Sequence, residues 1–548
     1  MPRNFPAYGD RNGHKVVLGT GEAVLGPRAA ERPRSVPGYN PEGEVAGSRD
    51  GVGGGRSTGD PADNITVGEG RAPASSMQMR TRRRSGECPT RAGSTSSAGW
   101  AGECLMRARS IRRQQGLNTS RALQHVLYRS AKQEPQRRFH ALYQHVYRRD
   151  ILDRAWQQVR SNRGAPGVDG VSIADVEASG VEEFLDDLAA DLKAQTYRAA
   201  PLRRVEIPKP GRPGQFRPLS IPCVRDRVVM AAAKIVLEPV FEADFTDASF
   251  GFRPKRSAHD ACEAIRVAAN KGYEWVLDAD VRDCFGQIDW DALMLQVERR
   301  VSDRAMLKLI RAWLRAGVLQ DGVITDAMSG TPQGSPISPL LCNVALHVLD
   351  EAWQREHMRL GVLVRYADDL VALCPTRERA EQARERVATI LAELGLQLHP
   401  DKTRIVCLIR GEQGFDFVGF HHHKVASRRR QGRWYLQRWP SQRAMQSIRA
   451  KVHQATDRTK LGRPVEDVVV HLNRVLRGWG NYFRWGNSAR KFWGVDRYVY
   501  ARLEHFMRAK HSGRGGYGRR RFFDDYKRLP VYHLSGTQRY GIPAHAAW

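Results

Sequence analysis

The chain has 548 residues and carries 88 Lys/Arg against 59 Asp/Glu, a formal charge of +29. That length supports two to four domains, and a field of this sign favours a polyanionic partner, whether RNA, DNA or an anionic membrane. The eight cysteines, at 88, 104, 223, 262, 284, 342, 374 and 407, never stand at the short spacing of a zinc finger or knuckle, which argues against a structural zinc. No apolar run reaches transmembrane length and no apolar leader opens the sequence. A reducing, intracellular setting is the default expectation.

The first hundred or so residues are rich in Gly, Pro, Ser and Arg, with stretches such as GVGGGRSTGDPAD and MRTRRRSG. Residues 1–121 are therefore expected to be a disordered extension or the product of a start codon assigned too far upstream. Order begins near Leu123. ALQHVLYRSAK and RFHALYQHVYRRDILDRAWQQVR predict helices, ended by the turn-forming RGAPGVDG. SGVEEFLDDLAADLKAQTY predicts another helix, capped by Ser179, with Val181, Leu185, Leu188 and Leu192 in one stripe. The period then shortens. RRVEIPKPGRPGQFRPLSIP reads as a hairpin carrying Lys209, Arg212 and Arg217, and VVMAAAKIVLEPVFE returns to helix.

Three compact blocks follow: EWVLDADVRDCFGQID, SGTPQGSPISPLLCNVALHVLDEAW and LVRYADDLVALC. Beyond Phe415 the chain turns basic. From His421 to Trp548 there are 28 Lys/Arg against 7 Asp/Glu, with 6 of the 12 Trp and 8 of the 16 Tyr. Cations interleaved with rings suit phosphate neutralisation and base stacking. Val465, Val469, Leu472, Leu476 and Trp479 recur at three and four, the mark of a buried helical stripe with Arg474 and Arg477 between.

Two of these blocks place acids at the ends of apolar strands: Asp280 after Trp275–Leu277, and Asp368 with Asp369 inside LVRYADDLVAL. Adjacent acids in such a hairpin repel one another and are costly to desolvate, unless a cation joins them or the turn simply faces solvent. Phosphodiester synthesis needs two divalent metals, and magnesium prefers carboxylate oxygens.

The ordered series IPKPG…RPLSIP, SFGFRP, DADVRDCF, TPQGSPISPLLCN, YADD, LGLQLHPDKT and FVGF resembles the reverse transcriptase/maturase family encoded in group II introns. The resemblance runs from about Ala122 to the C-terminus. It implies an α+β right hand: fingers and palm over 122–415, the palm an antiparallel sheet with helices on one face. A helical thumb and maturase (X) region over 416–510 and a basic segment over 511–548 would follow. It implies two Mg2+ held by Asp280, Asp368, Asp369 and the Val281 carbonyl, with the three aspartates catalytic. Phe285 would lie under the incoming sugar and exclude a 2′-hydroxyl. Gln333 would touch the nucleotide or its template base, with Gly334 allowing close backbone approach. Lys209 and Arg217, more than Arg212, would grip the triphosphate, and Lys402 would approach the phosphates. LNRVLRGWGNYF carries the maturase signature, with Arg474 and Arg477 as RNA contacts and Trp479 and Phe483 as packing residues.

The partners so implied are group II intron RNA, an RNA template with a DNA primer, dNTPs and target DNA; the oligomeric state stays open. Cysteine pairs of the HNH nuclease carried by the longest members are missing, so target cleavage by this chain is not expected. Three consecutive histidines, His421 to His423, invite a zinc reading, but no Cys or acid stands beside them at ligand spacing. Two other readings stand beside the polymerase: an RNA-binding splicing factor with an idle site, and a reverse transcriptase of another retroelement or defence system.

Overall fold

The computed structural model describes residue 116 and residues 118–208, 214–320, 323–325, 329–511 and 517–540. Residues 118–133 are helical, and the next region splits into short helices Tyr143–Val146 and Arg149–Asn162. The stripe expected in the next helix is present over Val181–Ala194, with Leu185, Leu188 and Leu192 buried. Its cap differs from expectation. Ser172 and Asp175 form a capping box for a separate helix, Ile173–Ser179, and Ser179 closes it by donating its hydroxyl to the Asp175 carbonyl. Gly180, at φ +110, then starts the second helix. A local side-chain bond to its own helix therefore took Ser179 away from capping.

Among the described residues eleven strands form three sheets. The fingers sheet holds β1 (Leu202–Pro208), β2 (Phe216–Ile221), β4 (Val318–Gln320) and β5 (Val323–Thr325), in the order β2-β1-β4-β5. β1 and β2 are the expected hairpin, paired from Arg203 with Ile221 to Pro208 with Phe216. The palm sheet is β3 (Trp275–Asp280), β6 (Val362–Tyr366), β7 (Asp369–Cys374) and β8 (Arg404–Cys407), all antiparallel in the order β6-β7-β3-β8. The third sheet holds β9 (Gly414–Phe417), β10 (Phe420–Ala426) and β11 (Trp434–Pro440).

Side chains alternate across a strand, and the palm uses both of its faces. Leu277 and Ala279 of β3 and Leu370, Ala372 and Cys374 of β7 enter a large core with the helices Ser338–Ala352 and Arg377–Ala392. The opposite face was expected to carry no helix. Instead Val276, Val364, Val371 and Leu373 pack there with the helix Ala258–Asn270 and with Phe415, Phe417 and Leu436 of the third sheet. That cover reaches the apolar half only; Asp278, Asp280 and Asp369 continue the same face, by the same alternation, beyond it.

Among the described residues four α-helices follow: Gln442–Ala455, Val465–Phe483, Ala489–Lys510 and Arg519–Arg528. Val465, Val469, Leu472 and Leu476 are buried in one cluster, with Trp479 packed against it. Tyr517, Phe522 and Leu534, beyond the boundary read at 510, are buried in this same cluster.

The three histidines of β10 divide by the same alternation. His421 and His423 stack 6.0 Å apart beside Trp439, and His421 Nδ1 meets Asp416 at 2.7 Å. His422 is fully buried, stacked on Phe415 with neither ring nitrogen hydrogen-bonded. Burial first, then Arg438 and His421, pushes its pKa down to about 3. An unfolded histidine titrates near 6.5, so between about pH 6.5 and 3 the unfolded chain binds the extra proton. Stability is thus lost as pH falls through this window. His422→Phe should remove the loss: at pH 5.5 the variant should retain about 1.4 kcal/mol that the wild type gives up relative to pH 7.5. Urea denaturation at both pH values measures it.

Candidate active site

β6 and β7 are joined by a two-residue turn, Ala367–Asp368, with Tyr366 opposite Asp369. On the other side of β7, Asp369 lies opposite Asp280, the last residue of β3. The three aspartates thus occupy adjoining positions where two neighbouring strands meet the turn. Burial first, then Asp368, Asp280 and Asp278, pushes Asp369 up to about 7. Burial and Asp280 raise Asp368 as well, with Arg217 opposing them. Asp278, raised by burial, receives a 3.1 Å bond from Arg404 Nε.

The turn is conformationally costly. Ala367 sits at φ +58, where hairpins prefer Gly or Asn, a strain on the order of 1 kcal/mol or more. Its surroundings hold it there. Arg365 is wholly buried; its Nη1 donates to the Ala367 carbonyl at 2.9 Å and to Asn343 Oδ1 at 3.0 Å. Its Nε donates to Asp350 Oδ1 at 2.9 Å, and Nη2 pairs with the other oxygen of the same buried carboxylate. Asn343 in turn donates to the carbonyl of Gly251 at 2.8 Å. A Cβ on Gly251 would lie 2.3 Å from the Ala367 nitrogen, so the SFGF segment can reach the turn only through glycine.

Two of the other expected residues, Val281 and Lys402, are tied to this end of the sheet. Val281 is buried and bridges to Leu398, while His399 N donates to the Asp280 carbonyl at 2.7 Å. This ties LGLQLHPDKT to the strand end and brings Lys402 Nζ to 2.6 Å from Asp280 Oδ2. The ammonium expected to approach phosphates is thus paired with a carboxylate expected to hold metal. Phe285 is half-buried on the short helix Cys284–Gln287, its carbonyl accepting from Thr331 N at 2.6 Å. Gln333 Nε2 lies 3.5 Å from Asp283, and its carbonyl accepts from Ser220 N at 2.7 Å. Gly334, at φ +115, lies so close to β2 that a Cβ would be 2.7 Å from the Ser220 carbonyl. Lys209 and Arg212 fall outside the described residues. In the basic region Arg474 lines a groove between two helices, whereas Arg477 covers the Tyr532 ring at 5.2 Å.

Residues 207–422 match the family described as Reverse transcriptase (RNA-dependent DNA polymerase), and residues 445–523 match Group II intron, maturase-specific domain. Protein YkfC of Escherichia coli (strain K12) is 33% identical over 348 residues, which cover 57% of this chain and 89% of YkfC. The chain belongs to the group II intron reverse transcriptase/maturase family. Group II intron-encoded protein LtrA of Lactococcus lactis subsp. cremoris is 38% identical over 214 residues, 39% of this chain and 35% of LtrA. An uncharacterized 91 kDa protein in the cob intron of Schizosaccharomyces pombe is 36% identical over 210 residues, 37% of this chain and 24% of that protein. The match thus spans most of YkfC but about a third of LtrA and a quarter of the cob intron protein.

Asp278, Arg404, Asp283 and the Arg365–Asp350–Asn343 group are further members of this reverse transcriptase/maturase frame that no sequence motif announced. A signal for the last existed: Arg365 interrupts the apolar strand LVRYADDLV, where an unpaired cation would be expensive. Removing its partner should expose that cost. Asp350→Ala should destabilise the protein by about 3–5 kcal/mol, seen as a lower urea midpoint, and Asp350→Leu with Arg365→Met should recover most of it.

Proposed function

We propose that this protein copies RNA into DNA on the palm and, through its basic C-terminal region, binds group II intron RNA, aids its splicing and returns its DNA copy to target DNA. The register that sets Asp280 opposite Asp369, with Asp368 at the adjoining turn, carries this reading. A binding protein has no chemical need for three carboxylates at one strand end.

Hard oxygen donors, together with the desolvation and then the repulsion that lift Asp369 to about 7, fit divalent cations. Among the described residues no three acidic, His or Cys side chains already stand close enough to hold an ion, and Asp280 is paired with Lys402. Asp280, Asp368, Asp369 and the Val281 carbonyl would hold Mg2+, which when bound lowers the pKa of an attacking hydroxyl and stabilises departing pyrophosphate. The chain's own residues do the positioning. Arg217, exposed on β2 and felt electrostatically by Asp368, offers a cation to the triphosphate, and Lys209 is proposed from the sequence as a second one. Lys402 is placed to exchange its carboxylate for phosphate oxygens. Phe285 presents a ring to the sugar, and Gln333, fixed by its backbone to β2, faces the nucleotide or template base. No described helix is long and apolar enough to cross a membrane; a bacterial cytoplasmic setting completes the reading.

Primer extension tests it. With an RNA template, a DNA primer, Mg2+ and dNTPs, the wild type should extend and Asp368→Ala/Asp369→Ala should lose at least a thousandfold, with RNA binding retained. A folded, RNA-binding wild type that never extends would sink the enzymatic reading and favour a splicing factor. Phe285→Ala should incorporate rNTPs at least tenfold better relative to dNTPs, read as the ratio of kcat/KM for the two nucleotides; an unchanged ratio would remove Phe285 from sugar selection.

A further inference from the structure

The helices Gln442–Ala455 and Val465–Phe483 leave a groove of about 630 Å³ between them. Lys451 and Gln454 stand on one wall, His471 and Arg474 on the other, and Trp479, Tyr482 and Phe483 form the aromatic part of the lining. No acidic side chain lines it. Basic residues left facing each other across an aromatic surface, with no carboxylate between them, suit an anion that also brings a planar apolar face. Two further observations point the same way. The Trp479 indole N–H is buried and has no hydrogen-bond partner among the described residues, although buried indole nitrogens ordinarily find an acceptor. Gly478 is exposed in mid-helix, and a Cβ added there would meet nothing within 4 Å. Glycine weakens a helix interior, and no neighbour in the fold requires it.

We infer that this groove is a binding site for a single unpaired RNA nucleotide, its base lying against Trp479 and Tyr482 and its phosphate between Lys451 and Arg474. The inference rests on the intron-RNA reading and adds to it a place and a mode of contact. A volume of this order holds a small ligand and not a duplex, and unpaired bases are the ones free to stack on side-chain rings. The indole N–H gains an acceptor from the base or phosphate. Open space at Gly478 is then the room the nucleotide occupies. Arg477, committed to Tyr532, takes no part.

Gly478→Leu is the decisive variant, because leucine is a better helix former and its side chain would fill the groove. A 12-nucleotide single-stranded RNA carrying 4-thiouridine is photocrosslinked to the full chain, with the same RNA fully paired as control. The wild type should crosslink within the peptide spanning 479–482, and the duplex should not. Gly478→Leu should lose crosslinking at least tenfold with an undiminished Tm. Trp479→Phe, which keeps the packing ring and removes the N–H, should weaken single-strand binding several-fold in fluorescence anisotropy. Equal crosslinking by Gly478→Leu, equal crosslinking by the duplex, or none by the wild type would each overturn the site. A gel shift of wild type with group II intron RNA separates the two levels: a shift without the crosslink overturns the groove alone, whereas absence of both overturns RNA binding as well.

Discussion

Everything at the palm depends on one guanidinium in the dark. Arg365 lies with no exposed surface between two helical residues, Asp350 and Asn343, and its Nη1 also grips the carbonyl of Ala367. A charge so placed is tolerable only if every donor finds its acceptor, and that demand fixes geometry. It sets the strand β6 against the helix Ser338–Ala352 and holds a non-glycine turn in a left-handed conformation. It thereby aims Asp368. The glycine at 251 completes the clamp from the far side, because only a residue without a Cβ lets the SFGF segment lie against the turn.

The second organising fact is that one sheet face is half dry and half wet. The helix Ala258–Asn270 and the third sheet cover Val276, Val371 and Leu373, and their cover stops short of the strand ends. Carboxylates occupy the continuation of that face. Partial burial raises the cost of their ionisation, and mutual repulsion adds to it. Lys402, Arg404 and Arg217 supply a surrounding positive field. The site therefore combines acids that gain from a cation with bases that gain from a polyphosphate.

Much of this was legible in the residues. Strand and helix order followed from period, the hairpins from their turns, and Asp280, Asp368 and Asp369 from acids set among apolar neighbours. What escaped the sequence depended on long-range contacts. Asp350 reads as an ordinary helix-end acid until Arg365 is seen beside it. Asp278 and Arg404 are 126 positions apart and meet only through strand register. Lys402 was read as a phosphate contact, but nothing local announces that its nearest anion within the protein is Asp280. Ser179 stands where a cap for the helix Val181–Ala194 would, but it ends the preceding helix and bonds back to Asp175. The helix Ala258–Asn270 over the second palm face is likewise not announced locally, because convergence of Asp280 with the Asp368–Asp369 turn says nothing of what covers Val276, Val371 and Leu373 on the apolar half of that face.

The junction between palm and thumb has a mechanical consequence. Phe420, which begins β10, is buried in the thumb's cluster and touches Tyr482 and Phe483, while Tyr482 donates its hydroxyl to the Val418 carbonyl at 2.7 Å. His259, at the start of the helix that covers the palm, meets the Tyr482 carbonyl at 2.7 Å. A seam of interlocked rings resists shear far better than a glycine linker would. A torque on the helix Val465–Phe483 would therefore reach the helix lying on the acid-bearing sheet through these contacts, with no slack linker between them.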